Sequence, residues 1–187
     1  MNIDVWWYDD VVVNQISRLI EPQIPKLKFY CKKEGIRTDS NWEYNVSEEY
    51  LKTFMHENLR VCKESNKFSF SVQVTNKLLH IVKELYPDRQ VVGSGHYYYP
   101  KTGYMGWHTN SNQPDDRLYI TYASEDKKSF FRYYVDGKVV TDYDNKGLNF
   151  RTFSLSDKEP YFWHCVGSEC DRFSFGYRLV NVLPLYK

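Results

Sequence analysis

Three short stretches carry side chains able to hold a metal ion or an anion. Trp107-His108-Thr109-Asn110 places His108 and Asn110 two positions apart. In extended chain such residues point to the same side and can share one ion. His164 lies in the aromatic run Tyr161-Phe162-Trp163-His164-Cys165-Val166. Taken singly, a histidine in such a run reads as a hydrogen-bonded core residue. The third stretch, Arg172-Phe173-Ser174-Phe175-Gly176-Tyr177-Arg178-Leu179, alternates cleanly. Its aromatic and aliphatic residues share one face, and Arg172, Ser174, Gly176 and Arg178 share the other. An arginine fork binds a carboxylate through parallel hydrogen bonds, and a neighbouring hydroxyl adds another. In this order the residues read as two imidazole ligands, an oxygen ligand and an anchor for a small dicarboxylic acid chelating the metal. Two histidines and an oxygen donor occupy one face of iron(II) and leave positions open for co-substrate and oxygen.

The elements that must position these residues divide by pattern. Val12, Ile16, Leu19 and Ile20 fall at helical spacing before Pro22, and Ser47-Glu48-Glu49 reads as a capped helix start. Leu78, Val82, Leu85 and Tyr86 share a helical face that Pro87 terminates. From Val91 the period becomes two, predicting strands over Val91–Tyr99, Arg117–Ala123, Ser129–Val135, Lys138–Tyr143, Phe150–Leu155, Tyr161–Val166 and Arg172–Val182. Asp136-Gly137 predicts a two-residue hairpin turn. Gly167 to Asp171 reads as a second hairpin turn that sets His164 beside the Arg172 strand. The expected fold class is α+β, mainly β: a single domain over 1–187, with 1–90 a helical support region and 91–187 a jelly-roll core carrying the site.

Composition narrows the function classes. Lys and Arg number 25 against 24 Asp and Glu, which removes the basic signature of a general nucleic-acid binder. The four cysteines form no CxxC pair and read as free thiols. No apolar run reaches membrane-spanning length and no signal-peptide pattern opens the chain, so the expectation is a soluble, cytoplasmic protein with no membrane partner.

With these residues in place the sequence resembles the iron(II)/2-oxoglutarate-dependent oxygenases of the double-stranded β-helix fold. Their signature is His-x-Asp/Glu, a distal His, then an Arg often written Arg-x-Ser. The matching residues are His108, Asn110, His164, Arg172 and Ser174, and the resemblance covers Val91 to Val182. Arg172-x-Ser174-x-Gly176-x-Arg178 is similar to the Arg-x-Asn-x-Thr-x-Arg strand of AlkB-type members. Tyr97-Tyr98-Tyr99-Pro100 is similar to their approach strand. The resemblance implies a dioxygenase, of hydroxylase or demethylase kind, using Fe(II), 2-oxoglutarate and O2. His108, Asn110 and His164 would hold the metal. Arg172, Ser174, Tyr99, Arg178 and Tyr97 would hold the co-substrate, and Trp107, Tyr119 and Tyr133 would line the substrate mouth. Asn110 stands where the family has a carboxylate. It is a neutral ligand, or Asp115, Asp116 or water takes the place, or catalysis is lost. Two other readings follow: a degenerate jelly-roll binding module for a peptide, sugar or nucleic acid, and a cupin-like metalloenzyme without 2-oxoglutarate.

Overall fold

A computed structural model describes residues 8–29, 31–34, 41–57, 59–62, 64–70 and 73–181. Val182, the expected end of the last strand, lies outside the described residues. The helices are α1 (Asp10–Ile20), α2 (Ile24–Phe29), α3 (Trp42–Asn45), α4 (Glu48–His56) and α5 (Gln73–Leu85). The strands are β1 (Lys32–Glu34), β2 (Ser65–Ser69), β3 (Arg89–Tyr99), β4 (Gly103–His108), β5 (Asp116–Ala123), β6 (Ser129–Val135), β7 (Lys138–Tyr143), β8 (Gly147–Ser154), β9 (His164–Ser168) and β10 (Arg172–Asn181). Among the described residues no helix is long and apolar enough to cross a membrane.

Two antiparallel sheets face each other. One runs β2-β3-β10-β5-β8 and the other β2-β4-β9-β6-β7, so β2 belongs to both. This is the double-stranded β-helix arrangement. β1 and β2 come from the half of the chain whose pattern reads as helical; both are short, and β2 (Ser-Asn-Lys-Phe-Ser) lacks apolar alternation.

Three apolar clusters follow from strand alternation. Phe173, Phe175, Tyr177 and Leu179 of β10 and Leu118 and Ile120 of β5 point outward, onto Ile16 and Ile20 of α1 and Leu78 and Val82 of α5. Tyr104 and Trp107 of β4 and Cys165 of β9 point outward from the second sheet, onto Leu51 and Phe54 of α4. Tyr99, Phe131, Phe153, Phe162 and Val166 fill the space between the sheets. Helix starts follow the capping pattern: Asp9 accepts from the Val11 N–H and Ser47 from the Tyr50 N–H. At the β6–β7 turn Asp136 and Gly137 have φ of 49° and 81°, as a type I′ hairpin demands.

β9 and β10 do not form the expected hairpin. β9 pairs with β4 and β6, β10 with β3 and β5, and the link between them crosses from one sheet to the other. A tight hairpin would keep both strands in one sheet; the crossing sets His164 opposite the Arg172 strand instead of alongside it.

β10 is buried on both faces from Arg172 to Tyr177, including Arg172 and Ser174. The charge this brings inside is matched. Arg172 Nε donates to Asp144 Oδ2 at 2.8 Å, Arg151 donates to Asp144 Oδ1 and Ser129 Oγ to Asp144 Oδ2. Arg151 also donates to Asp142. Burial alone would raise the Asp144 carboxyl; Arg172 and Arg151 outweigh it and hold it well below the usual carboxylate range. Removing a carboxylate from such a pair leaves buried charge uncompensated. Asp144→Ala is therefore expected to lose about 3–5 kcal/mol in urea unfolding; a loss under about 1 kcal/mol would show the cluster to be dispensable.

His96 lies on the opposite, helix-facing side, among Phe70, Phe175 and Tyr177. Burial lowers its pKa to about 4 from 6.5. Between these values the unfolded chain binds the proton and the folded chain does not, so stability falls as pH drops from 6.5 to 4. His96→Phe should flatten the stability–pH slope of the metal-free protein in that window by up to one proton; an unchanged slope would mean the ring titrates normally.

Candidate metal centre

His108 and His164 face each other in register across β4 and β9, with ring centroids 4.1 Å apart. Both are buried, at 3% and 0% exposure. His108 Nδ1 lies 2.8 Å from the Gly106 carbonyl and His164 Nδ1 lies 3.0 Å from the Phe162 carbonyl. A carbonyl only accepts, so each Nδ1 carries the proton and each Nε2 keeps a lone pair. That is the tautomer a metal requires, fixed by a partner behind the ring. Burial lowers the His108 pKa to about 4. Burial also holds His164 well below the usual imidazole range, and His108 and Arg117 add to the effect. Both rings are neutral near pH 7.

A bulge in β4 decides which ring faces in. The register shifts between Met105 and His108, so Met105 and His108 point into the barrel while Trp107 points out. Trp107 is fully buried and its indole N–H donates to the Ser47 carbonyl at 2.7 Å. This corrects its expected place at a substrate mouth: as the chain neighbour of inward-facing His108 it points the other way, into the cluster under α4.

Asn110 has a left-handed φ of 50°, which asparagine tolerates, and its carbonyl accepts the Gln113 N–H at 3.0 Å. Its Nδ2 lies 3.3 Å from His164 Nε2. The side chain thus reaches the imidazole pair. As an amide it presents a donor to the lone pair in this orientation, and a half-turn of the amide presents Oδ1. Neither aspartate named as a substitute is there. Asp115 is bound to Arg178, and Asp116 to Arg89 and Ser154. Among the described residues no group of three His, Cys, Asp or Glu side chains is placed to hold an ion.

Around this pair lies a pocket of about 70 Å³, bordered by Tyr97, Tyr99, Tyr119, Ser174 and Asn110. Tyr97 pairs with Ser174 and Tyr99 with Arg172, which sets β3 and β10 in phase along the inner face. Arg172 is 1% exposed and its guanidinium lies 5.3 Å from the Tyr99 ring centre. Nε is held by Asp144, Nη2 donates to Thr121 Oγ1 at 3.3 Å, and Nη1 has no partner among the described residues. Gly176 offers no space for an anion. A Cβ there would lie 2.9 Å from Ser94 Oγ and 3.1 Å from the Tyr119 ring, so the glycine permits close packing. Arg178, at the far end of the strand, is committed to Asp115. Tyr133 pairs opposite His164 and stacks on Phe162, outside the pocket border.

Pattern reading passed over Asp144, Arg151, Thr121 and Arg117. Arg117 and Thr121 carry a signal, since they share the phase of Tyr119 on β5. Asp144 follows β7 in a loop and carries none.

No protein-family model matches the sequence, and no curated protein does. Solved structures do match in fold. A Pseudomonas putida prolyl-4-hydroxylase aligns over 97% of this chain and 92% of its own, at TM-score 0.54 and 8% identity. A Trichoplax adhaerens prolyl hydroxylase, solved with a hypoxia inducible factor oxygen degradation domain peptide, aligns over 93% and 94%, at TM-score 0.47 and 11% identity. A Burkholderia pseudomallei protein of the 2OG-Fe(II) oxygenase family aligns over 95% and 98%, at TM-score 0.42 and 8% identity. At such identities the likeness is one of fold, and the fold of this chain is that of a 2-oxoglutarate/Fe(II) oxygenase-like double-stranded β-helix.

Proposed function

We propose that the protein is an iron(II)/2-oxoglutarate-dependent oxygenase, most simply a hydroxylase. The observation that carries this is the imidazole pair, with both Nε2 lone pairs freed by Nδ1–carbonyl hydrogen bonds inside a small polar pocket. The donor set fits a divalent metal: two neutral imidazoles and an amide that can turn its oxygen toward them. The unpartnered, buried Nη1 of Arg172, on the strand that carries Ser174, suits the far carboxylate of a keto acid.

Iron and 2-oxoglutarate together supply the oxidising chemistry, in which dioxygen is consumed, the keto acid becomes succinate and carbon dioxide, and a substrate C–H bond is hydroxylated. The chain supplies the rest. His108 and His164 donate lone pairs from rings that cannot turn. Asn110 offers a neutral oxygen. Arg172 and Ser174 bind and orient the carboxylate, with Asp144 fixing the angle of the guanidinium. Phe131, Phe153 and Phe162 pack around His164 and keep water from it. A pocket of about 70 Å³ is smaller than the several-hundred-Å³ sites usual for organic ligands, so side chains at its border must move to admit the co-substrate.

The test is succinate formation from 2-oxoglutarate with Fe(II), together with thermal stabilisation by Mn(II) plus 2-oxoglutarate. A rise of several degrees is expected, lost in His164→Ala and, for the 2-oxoglutarate part, in Arg172→Ala. Stabilisation that survives Arg172→Ala would remove the co-substrate assignment. The small pocket and the Asn110–His164 hydrogen bond favour one competitor, a metal-free jelly-roll binding module; it predicts no response to either addition. Asn110→Asp restores a charge to the ligand set and should tighten Mn(II) binding by roughly tenfold or more. Equal affinity in the two proteins would place Asn110 outside the coordination sphere.

A further inference from the structure

Among the described residues, buried positive charge inside the barrel is matched at every side chain but one. Arg151 and Arg172 share Asp142 and Asp144. Arg178 holds Asp115 through Nε and Nη2. Arg117, 2% exposed on β5, makes no ion pair among the described residues. Its Nη2 donates to the Gln113 carbonyl, and its Nη1 is buried with no partner among the described residues. Two guanidiniums, Arg117 and Arg178, thus stand near the single carboxylate of Asp115, and only Arg178 touches it.

A buried, uncompensated guanidinium is costly, and an unmade hydrogen bond adds to the cost. A bracing role alone does not account for it, because a neutral donor would satisfy the Gln113 carbonyl as well. The position is informative. Gln113 closes the turn on Asn110, so Arg117 is two hydrogen bonds from the side chain beside His164. On β5 it is in phase with Tyr119, which borders the pocket. The imidazole pair and Asn110 bring no negative charge to offset it.

We infer that Arg117 is the anchor for a carboxylate of the primary substrate, so that the substrate is a small carboxylate-bearing molecule. This rests on the oxygenase reading for what happens to the substrate, but not for its binding. Arg172, beyond Tyr99 and tied to Asp144, is left for the co-substrate. With Nη2 already donating to Gln113, Arg117 offers Nη1 chiefly, which suits one carboxylate oxygen better than a phosphate needing several donors.

The probe is propionate, with propionamide as its uncharged match, titrated at constant ionic strength into the metal-free full-length chain. The guanidinium 15N signal of Arg117, identified by its loss in Arg117→Lys, should move saturably with propionate and stay put with propionamide. The thermal midpoint should rise with propionate alone, and Arg117→Gln should abolish that rise. An unmoved Arg117 signal up to about 0.1 M propionate, well beyond the millimolar affinity expected of so small a ligand, overturns the inference. So does a response confined to Arg172, or stabilisation retained in Arg117→Gln. If Arg117→Gln does not fold, the propionate–propionamide contrast in the unaltered chain decides alone. Neither iron nor 2-oxoglutarate is present, so failure of the oxygenase reading shows separately, as missing succinate.

Discussion

Two imidazole rings buried within van der Waals reach of each other cannot both take the second proton that would make them imidazolium. Like charges at that separation repel, and neither ring has water to solvate it. The barrel therefore holds His108 and His164 neutral, and neutrality dictates the surroundings. Each ring needs a backbone acceptor behind it, which requires that each strand place a carbonyl two residues upstream at the correct angle. β4 achieves this with a bulge and β9 by entering the sheet at His164 itself.

The same low-dielectric interior explains how the charges are arranged. Asp144 is wholly inaccessible, yet it stays ionised because two guanidiniums surround it. In turn it fixes Arg172, which would otherwise have rotamers to explore. The geometry of the proposed carboxylate anchor is thus set by a residue that contacts no ligand. Thr121, one strand away, completes the cradle.

Much of this was legible in the sequence, for identifiable reasons. Strand phase put Arg172 and Ser174 on one face of their strand, because alternation has only two outcomes; that this face, with Tyr97 and Tyr99 of the paired strand, lies inside follows from the aromatic face of β10 meeting helices. The Asp136-Gly137 turn was readable because its backbone conformation admits few residues. What escaped the pattern was non-local or irregular. β2 has no alternation and owes its conformation to partners in both sheets. Trp107 was misplaced because its neighbour His108 takes the inward direction, which sends the indole outward onto α4. The Gly167–Asp171 link resembles a hairpin locally; only the pairing of β9 and β10 with other strands shows that it changes sheets.

The membership of β2 in both sheets also makes the barrel mechanically unequal. On that side the sheets are stitched by backbone hydrogen bonds through a shared strand. On the opposite side β7 and β8 end their sheets, and Arg151 of β8 clasps Asp142 of β7 across the gap. One seam is a shared strand with a ladder on each side; the other has no ladder across it and is closed by the short link of residues 144–146 and by Arg151, which holds both Asp142 and Asp144. The carboxylate that orients Arg172 therefore sits in the very link that closes the barrel, so closure of the shell and aim of the guanidinium are one structural event.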